Sequence, residues 1–357
     1  MAAIKRVAVV FNLKIEVQDG MPKDMYAEFD DISVPLAIKT ALEKNNYMVD
    51  ILEADERLYG RLVEGKYDFV FNIAEGIRGE SRESHVPAML EMLGIPYTGS
   101  GVLTQAITLD KKRTKETLIH HKIPTPKFQI FSSFNQVLRE DMQFPLIVKP
   151  NTEGSSKGIR NKSLVCNEAD LREMIRFVIE NYNQDAIIEE FLEGREFTVS
   201  ILGNNPPKLL PIVEVSFDGL PEGVNKFDSY EVKWIWDNPD NPIDSVICPA
   251  KISRALEKRL GEIALKCFEV LEIKDLCRID FRLDSFGIPN VLEINALPGL
   301  IPNPAENSRF PKACFAAGMS YDEIINRVMD EAMGRYGLLH KPRIVFGEKI
   351  KKNGNKM

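Results

Sequence analysis

The chain has 357 residues, of which 44% are hydrophobic and 28% are charged, and its formal net charge is -7. This length exceeds a single ordinary hydrophobic core and predicts two or three domains. The negative charge argues against a general nucleic-acid-binding protein, because neutralising phosphates requires a basic surface.

The N-terminus and the cysteines indicate the compartment. The first apolar run lasts only a few residues before charge returns, so we expect neither a signal peptide nor a membrane span. The five cysteines have no CxxC spacing, which is typical of reduced, mostly buried thiols in a cytoplasmic protein. The four histidines are too few and too scattered for a histidine metal site.

The N-terminal part of the chain alternates apolar runs of strand length with helix-like segments. This alternation predicts a parallel sheet covered by helices, in which ligands bind beyond the carboxyl ends of the strands. Asn72, Glu75 and Gly76 lie at that edge. The predicted strands are 5–13, 47–52 and 67–73, and the predicted helices are 34–45, 54–65 and 85–93.

A turn-rich sequence, IPYTGSG at 95–101, marks the first domain boundary. Its Gly-Ser-Gly is either a plain turn or an anion-binding nest. An α+β region follows, with a helix over 109–121, strands near 126–131, 145–150 and 186–191, and a closing helix near 321–333. The expected parts are a parallel α/β domain (1–103), a central subdomain (104–191), a C-terminal subdomain (192–341) and a flexible tail (342–357).

The stretch RIDFRLDSFGIPNVLEINALPGL, at 278–300, predicts a β-hairpin with charged residues on one face. If the hairpin folds symmetrically about its turn, Asp280 lies opposite Glu293 and Arg278 lies opposite Asn295. Directly opposed carboxylates repel unless a cation lies between them. This face is therefore either a metal site or a solvated surface balanced by its arginines.

Strand alternation also assigns the apolar residues of this hairpin to faces. Ile279 and Phe281 point away from the charged face. On the second strand, Val291 shares the face of Glu293, whereas Leu292 lies on the opposite face.

The sequence PLIVKPNTEGSSKGI, at 145–159, joins an apolar strand to a loop of small residues. The strand delivers Lys149, and the loop opens with Glu153, Gly154, Ser155 and Ser156. Small residues let backbone N–H groups approach phosphate oxygens, and a lysine adds a point charge. A hairpin turn with an incidental lysine is the alternative, and the chain has no Walker A motif.

The sequence DAIIEEFLEGREFTV, at 185–199, ends an apolar strand in acidic residues. Backbone groups at such a strand end can imitate the base-pairing edge that a purine recognises, and a carboxylate can accept ribose hydroxyls. A solvated acidic strand end is the alternative. The residues concerned are Glu189, Glu190, Phe191, Leu192 and Glu196.

Taken in order, these motifs resemble the ATP-grasp superfamily and, within it, the D-alanine–D-alanine ligase family. The resemblance runs from about Tyr67 to Gly334. The motifs that carry it are LEMLGIPYTGSG, LDKKRTK, LIVKPNTEGSSKGI, IEEFLEGREFTVSILG and EINALPG. It implies a three-domain ATP-grasp architecture of the α/β class, with α+β parts, and a homodimer.

The resemblance implies how ATP and metal ions would bind. Lys111 and Lys149 would hold the α- and β-phosphates, and Lys233 would reach the γ-phosphate. The loop Glu153–Gly158, which includes Gly154, Ser155 and Ser156, would close over the triphosphate. The stretch Glu189, Glu190, Phe191 and Leu192 would line the adenine site, and Glu196 would bind the ribose.

Asp280, Glu293 and Asn295 would hold two Mg²⁺ ions, for which Mn²⁺ could substitute.

The implied activity is that of an ATP- and Mg²⁺-dependent carboxylate–amine ligase that forms ADP through an acyl phosphate. Arg278 and the backbone N–H of Gly299 would stabilise the oxyanion. D-alanine–D-alanine ligation is the leading expectation, with amino acids or other carboxylates as substrates. One alternative is a ligase that joins a different amino acid to a non-standard carboxylate. The other is an ATP-binding protein of this fold without ligase turnover.

Two departures from the family pattern concern the substrates. The usual Gly-rich opening with its Glu-x-x-Val-Ser element is missing, so Glu28, Asp30 or Asp31 would hold the first amino group. Arg82 is a further candidate for substrate contact.

The second departure follows the EINALPG motif. Pro304 stands where the family has a serine that grips the second carboxylate. We expect Ser308 or Arg309 to bind a substrate carboxylate instead, with a surface arginine on an irregular loop as the alternative.

Overall fold

The computed structural model of the chain describes residues 4–18, 20, 22–233 and 245–339. The predicted tail, 342–357, lies outside these residues, as does Trp234 beside the predicted lysine Lys233. Across the described residues, no helix is long and apolar enough to cross a bilayer.

The N-terminal part contains the predicted parallel sheet. Its strands run side by side in the order β2-β1-β3, and β1 is buried along nearly its whole length. A continuous apolar run forms such a strand because helices cover both faces of the sheet. The elements are β1 (Arg6–Phe11), α1 (Ser33–Glu43), β2 (Met48–Glu53), α2 (Leu58–Gly65), β3 (Phe69–Asn72) and α3 (His85–Leu93).

The central part is an antiparallel sheet with the strand order β4-β7-β5-β6. The buried face of helix α6 packs on this sheet through residues spaced three and four apart. The elements are α4 (Val102–Leu109), α5 (Lys111–His120), β4 (Phe128–Phe131), β5 (Leu146–Pro150), β6 (Leu164–Val165), α6 (Glu168–Tyr182) and β7 (Ala186–Glu190).

The C-terminal part contains a second antiparallel sheet, in the order β11-β10-β8-β12-β13, with β9 paired to β8. Helix α7 covers the apolar face of this sheet. The elements are β8 (Glu196–Leu202), β9 (Lys208–Leu209), β10 (Val213–Val215), β11 (Val246–Ile247), α7 (Arg254–Val270), β12 (Leu276–Leu283), β13 (Pro289–Asn295), α8 (Arg309–Ala316) and α9 (Tyr321–Arg335).

The last helix, α9, returns to the N-terminal sheet. Val328 and Met329 share one buried cluster with Val9 and Phe71. The Gly-Ser-Gly turn is fixed at the same junction, because the N–H of Gly99 donates to an Asp275 oxygen at 2.7 Å. This turn therefore binds a carboxylate of the protein itself.

The predicted hairpin pairs as expected from Arg278 to Asp280. Asp280 pairs with Glu293, but a β-bulge follows, and Phe281 pairs with Val291. The predicted faces of Val291 and Leu292 are wrong, because the bulge places Val291 in the core and Leu292 on a cavity wall.

Candidate active site

Two neighbouring cavities lie beside the β12–β13 hairpin. The smaller cavity is lined by β5 and β7 on one side and by the hairpin on the other. The larger cavity, of about 500 Å³, is lined by the hairpin end and by the N-terminal sheet. Asp228 and Arg309 line both cavities, so the two spaces meet at these residues.

One part of the smaller cavity is an apolar slot, although charged residues line the rest of it. Ile147, Ile159, Phe191 and Phe227 pack together, and Leu292 joins them from the bulge. The rings of Phe191 and Phe227 meet edge to face, with centroids 6.0 Å apart. A narrow apolar slot of this kind suits a flat aromatic ring system.

The structure brings the whole predicted strand end to this slot. The N–H groups of Glu190 and Phe191 donate to backbone carbonyls of neighbouring segments at 3.0 and 3.1 Å, so these two donors are used within the protein. Sequence analysis missed Ile147, which lies two residues before Lys149 and hence on the same face of β5. The predicted residues lining the slot are Glu189, Glu190, Phe191 and Leu192.

Glu189 lies between two lysines. Its Oε2 is 2.9 Å from Lys149 Nζ, and its Oε1 is 3.2 Å from Lys115 Nζ. Burial alone would raise the pKa of Glu189, but the two positive charges outweigh burial and lower it. Burial lowers the pKa of Lys115 to about 8. The ionised carboxylate thus fixes Lys149 at the cavity wall. Lys115, the third lysine of the LDKKRTK motif, was not predicted as a site residue.

Lys111 lies between the loop 153–158, here called the Gly/Ser loop, and the hairpin. Its Nζ is 3.1 Å from Glu293 Oε1 and donates to the backbone carbonyl of Glu153. Burial alone would raise the pKa of Glu293, but the charges of Lys111, Arg278 and Lys149 outweigh burial and lower it to about 2. Glu293 is therefore a carboxylate surrounded by cations.

The Gly/Ser loop reaches both cavities. Ser155 lines the larger cavity and Ser156 lines the smaller one. Both serines have left-handed backbone conformations, with φ of 49° and 60°, which are uncommon for residues other than glycine. A Cβ at Gly154 would lie 2.9 Å from Glu28 Oε1, so a side chain at this position would displace that carboxylate.

Arg82 ties the N-terminal part to the Gly/Ser loop. Its guanidinium lies 2.6 Å from Glu28 and 2.9 Å from Glu153, and it donates to the carbonyl of Thr152 at 2.8 Å. Glu28 also accepts a hydrogen bond from the N–H of Gly154. Arg82, a predicted substrate contact, thus has three protein partners, and it is not among the described residues that line either cavity.

The segment 225–233 covers the outer side of the Gly/Ser loop. Ser156 Oγ donates to the carbonyl of Asp228 at 2.8 Å. The N–H of Tyr230 donates to the carbonyl of Ile159 at 2.7 Å. These bonds fix the position of Lys233, at the end of the segment, relative to the loop.

Glu196 lines the smaller cavity and is held by Arg282. Its Oε2 lies 3.1 Å from the guanidinium, which also donates to the carbonyls of Gly194 and Lys226 at 3.2 and 2.6 Å. Burial raises the pKa of Glu196 to about 7, although the charge of Arg282 opposes the rise. Glu196 thus presents a fixed carboxyl group at the rim of the apolar slot.

The hairpin brings the predicted metal-binding residues together. Asp280 lies opposite Glu293, and Arg278 lies opposite Asn295, as predicted. Asp280 Oδ1 accepts a hydrogen bond from Thr198 Oγ1 at 2.6 Å, and its Oδ2 is 3.2 Å from the Arg278 guanidinium. Asp280 and Glu293 line the smaller cavity, and Asn295 lines the larger one.

These donors can be tested against the chemistry of Mg²⁺. Two carboxylates and one amide are the hard oxygen ligands that this ion prefers. In the part of the chain that the structure describes, no three or more His, Cys, Asp and Glu side chains form a metal cluster. Since Mg²⁺ commonly takes ligands from substrate phosphates as well, the residues fit a phosphate-bound ion.

One end of the larger cavity is cationic. Arg278 Nε is buried and has no hydrogen-bond partner among the described residues. Burial lowers the pKa of Lys233, which lines this end, to about 8. Arg309, a predicted carboxylate ligand, already pairs with Asp228 at 2.7 Å. Such a set of donors suits an anionic group.

Two further predicted residues lie beside this cationic end. Gly299 and Ser308 both line the larger cavity, and Ser308 Oγ donates to the carbonyl of Gly299 at 3.2 Å. The predicted oxyanion and carboxylate ligands are thus in one place.

The part of the larger cavity lined by N-terminal residues, here called the acidic end, carries four acids and Lys14. Glu28, Asp30, Asp31 and Glu75 all line it. Asp31 Oδ1 accepts a hydrogen bond from the N–H of Ser33 at 2.9 Å, at the start of α1. The larger cavity thus has a cationic end and an acidic end. These two ends match the carboxylate and the ammonium group of an amino acid.

Comparisons with known proteins agree with this geometry. Residues 119–330 match the family model described as D-ala D-ala ligase C-terminus. A D-alanine–D-alanine ligase from Pelotomaculum thermopropionicum is 32% identical over 314 residues, covering 85% of this chain and 92% of the relative. An uncharacterised protein, y4sG, from Sinorhizobium fredii is 40% identical over 267 residues, covering 75% of each chain.

Solved structures show the same relationship. The crystal structure of D-alanine–D-alanine ligase from Bacillus anthracis complexed with ATP superposes with a TM-score of 0.70 and 26% sequence identity. The match covers 93% of this chain and 99% of that chain. Fold and cleft together define an ATP-dependent ligase of the ATP-grasp class. Within that class, the chain belongs to the D-alanine–D-alanine ligase family.

Proposed function

We propose that this protein joins two amino-acid substrates by activating the carboxylate of one of them as an acyl phosphate. The supporting observation is the pair of cavities that meet at Asp228 and Arg309, one with an apolar slot and one with charged ends. A nucleotide in the first cavity would direct its terminal phosphate into the second.

The arrangement of the first cavity supports ATP as the phosphoryl donor. The adenine ring would enter the slot between Phe191 and Leu292, and Glu196 would accept a ribose hydroxyl. Lys149 and the Gly/Ser loop would hold the phosphates, since a lysine charge and tightly turned backbone N–H groups both favour phosphate oxygens. Lys111 would reach the same phosphates from beside Glu293.

We propose that Asp280, Glu293 and Asn295 hold two Mg²⁺ ions, for which Mn²⁺ could substitute. Bound there, the metal would neutralise charge on the transferring phosphoryl group. Lys111 and Lys149 would contact the phosphates from their positions beside Glu293 and Glu189.

The reaction would proceed in two balanced steps. First, a substrate carboxylate oxygen attacks the γ-phosphorus, and ADP leaves. Second, the amine of the other substrate attacks the acyl carbon and loses a proton to solvent, and inorganic phosphate leaves with that carboxylate oxygen. Lys233 would stabilise the phosphoryl oxygens. Arg278 and the N–H of Gly299 would donate to the oxyanion of the second step.

D-Alanine is the leading substrate, because relatives that cover most of this chain are D-alanine–D-alanine ligases. A different amino-acid pair is the alternative. Pro304 supports this alternative, because the side chain of proline has no donor that could bind a carboxylate. Ser308 would then bind the second carboxylate, because Arg309 already holds Asp228.

We further propose a cytoplasmic homodimer built from an N-terminal domain (1–103), a central subdomain (104–191) and a C-terminal subdomain (192–341). The family resemblance supports the dimer, and the cysteine pattern supports the compartment. Light scattering of the full chain would measure the dimer directly.

The proposed function can be tested by ATP-dependent phosphate release. Purified protein with Mg²⁺ is offered D- and L-amino acids singly and in pairs, and the products are identified by mass. We expect phosphate release that depends on an amino acid and a product equal to two substrates minus one water. ATP binding without amino-acid-dependent release would instead indicate a nucleotide-binding protein.

A further inference from the structure

The acidic end of the larger cavity contains two carboxylates that have no partner among the residues that the structure describes. Asp30 follows the segment after β1, and its backbone is fixed by bonds to Asn12 and Lys14 at 3.0 and 2.8 Å. Glu75 follows β3, at the carboxyl edge of the parallel sheet. Among the described residues, no hydrogen bond or ion pair engages either carboxylate.

The other two acids at this end are already engaged. Glu28 pairs with Arg82 at 2.6 Å and accepts a bond from Gly154. Asp31 accepts a hydrogen bond from the N–H of Ser33. Hydrogen bonds from Ser33 and the nearby charge of Lys14 lower the pKa of Asp31. The acids at this end that have no partner among the described residues are therefore Asp30 and Glu75.

Burial raises the pKa of both acids. It raises the pKa of Asp30 to about 7, and the neighbouring charge of Asp31 adds to the rise. It also raises the pKa of Glu75 well above its ordinary value, with further contributions from Glu83, Glu28 and Asp30. Carboxylates in this state gain most from a cation that enters the cavity.

The cationic end fixes the orientation of a bound substrate. Arg278 and Lys233 attract the carboxylate, so the rest of the molecule extends toward Asp30 and Glu75. An ordinary amino acid carries one ammonium group, whereas this end offers two unmatched carboxylates. The charges balance when the substrate carries a second cation.

We propose that the substrate bound at the acidic end is a diamino acid, whose two ammonium groups are held by Asp30 and Glu75. This inference rests on the proposed ligase function and, for the substrate at the acidic end, selects the alternative of an amino acid other than D-alanine. Asp30 and Glu75 are then the residues that determine specificity for the second cationic group.

Matched substrates test the proposal. Lysine and ornithine, as D and L forms, are compared with norleucine and norvaline, which have the same chain lengths without the second amine. We expect kcat/KM for phosphate release to be at least tenfold higher for the diamino acid of each pair. A preference for norleucine or norvaline, or equal rates, would overturn the proposal.

Variants connect this preference to the two acids. Glu75→Gln and Asp30→Asn should each reduce the ratio of the two kcat/KM values at least tenfold. Glu56→Gln, a change at an exposed acid paired with Arg78, should leave the ratio unchanged. A ratio that survives both cavity substitutions would contradict the assignment.

Binding separates failure of this proposal from failure of the ligase function. If no amino acid supports turnover, lysine and norleucine are titrated calorimetrically into protein that contains Mg²⁺ and a non-hydrolysable ATP analogue. Tighter binding of lysine, lost in Glu75→Gln, would support the cavity assignment without turnover. Equal binding of the two would refute it.

Discussion

Lys115 Nζ lies 3.2 Å from Glu189 Oε1, and both side chains are almost completely buried. Lys115 also donates to Thr125 Oγ1 at 2.9 Å, and Thr125 donates to the carbonyl of Val291 at the hairpin bulge. One buried lysine therefore connects the strand that holds Lys149 to the hairpin that carries the metal-binding acids.

The first prediction concerns this lysine. Lys115→Met removes one partner of a buried ion pair, so Glu189 loses a countercharge and holds Lys149 less well. We expect KM for ATP to rise about tenfold, and the free energy of unfolding to fall by about 3 kcal/mol. Steady-state kinetics and denaturant unfolding measure the two effects. Lys162→Met, at an exposed lysine, is the control. Equal KM values and equal free energies of unfolding in the two variants would contradict the role of Lys115.

The second prediction concerns the Gly/Ser loop. A Cβ at Gly154 would contact Glu28 Oε1 at 2.9 Å, so Gly154→Ala should displace the loop and lower kcat/KM for ATP at least tenfold. Gly60→Ala is the matched control, because a Cβ at this position in α2 has no neighbour within 4 Å. It should stabilise the protein by up to about 1 kcal/mol through helix propensity. Unchanged kinetics in Gly154→Ala would show that the loop tolerates the displacement.

The third prediction concerns the metal-binding acids. Glu293→Gln keeps the size of the side chain but removes the charge that would attract Mg²⁺, so kcat should fall at least a hundredfold. The concentration of Mg²⁺ required for half-maximal activity should rise as well. Metal titrations of phosphate release measure both effects. Normal turnover at ordinary Mg²⁺ would contradict the metal assignment.

The fourth prediction concerns pH. Burial lowers the pKa of Lys233 to about 8, so the fraction of charged lysine falls as pH rises through this value. If Lys233 must be charged, kcat/KM, which reports ionisations of the free enzyme, should decline above about pH 8. Arginine stays charged across this range, so Lys233→Arg should show a flatter decline.

The arginine variant decides the assignment, because burial also lowers the pKa of Lys115 to about 8. A decline that persists unchanged in Lys233→Arg would place the titrating group elsewhere. A profile that is flat to pH 10 in the unsubstituted protein would contradict a required charged lysine.

Much of the fold could be predicted from local patterns. The runs at β1, β2 and β3 are continuous and apolar because the sheet is covered on both faces, and this pattern needs no long-range information. The opposition of Asp280 and Glu293 likewise follows from alternation on two strands joined by a short turn.

The remaining features depend on contacts that local patterns do not contain. The bulge after Asp280 adds one residue without any compositional mark, so the faces of Val291 and Leu292 were exchanged. The return of α9 to the N-terminal sheet joins residues more than two hundred positions apart. The ion pairs of Arg82 could not be predicted either, because its partners, Glu28 and Glu153, come from different parts of the chain.

The acyl-phosphate route can be tested most directly with an oxygen label. The amino acid that donates its carboxylate is labelled with ¹⁸O in that group, and the released phosphate is analysed by mass spectrometry. We expect one ¹⁸O atom to appear in the released phosphate for every amide bond formed, because the carboxylate oxygen leaves with the phosphorus. Phosphate without label, released while a ligated product accumulates, would contradict it.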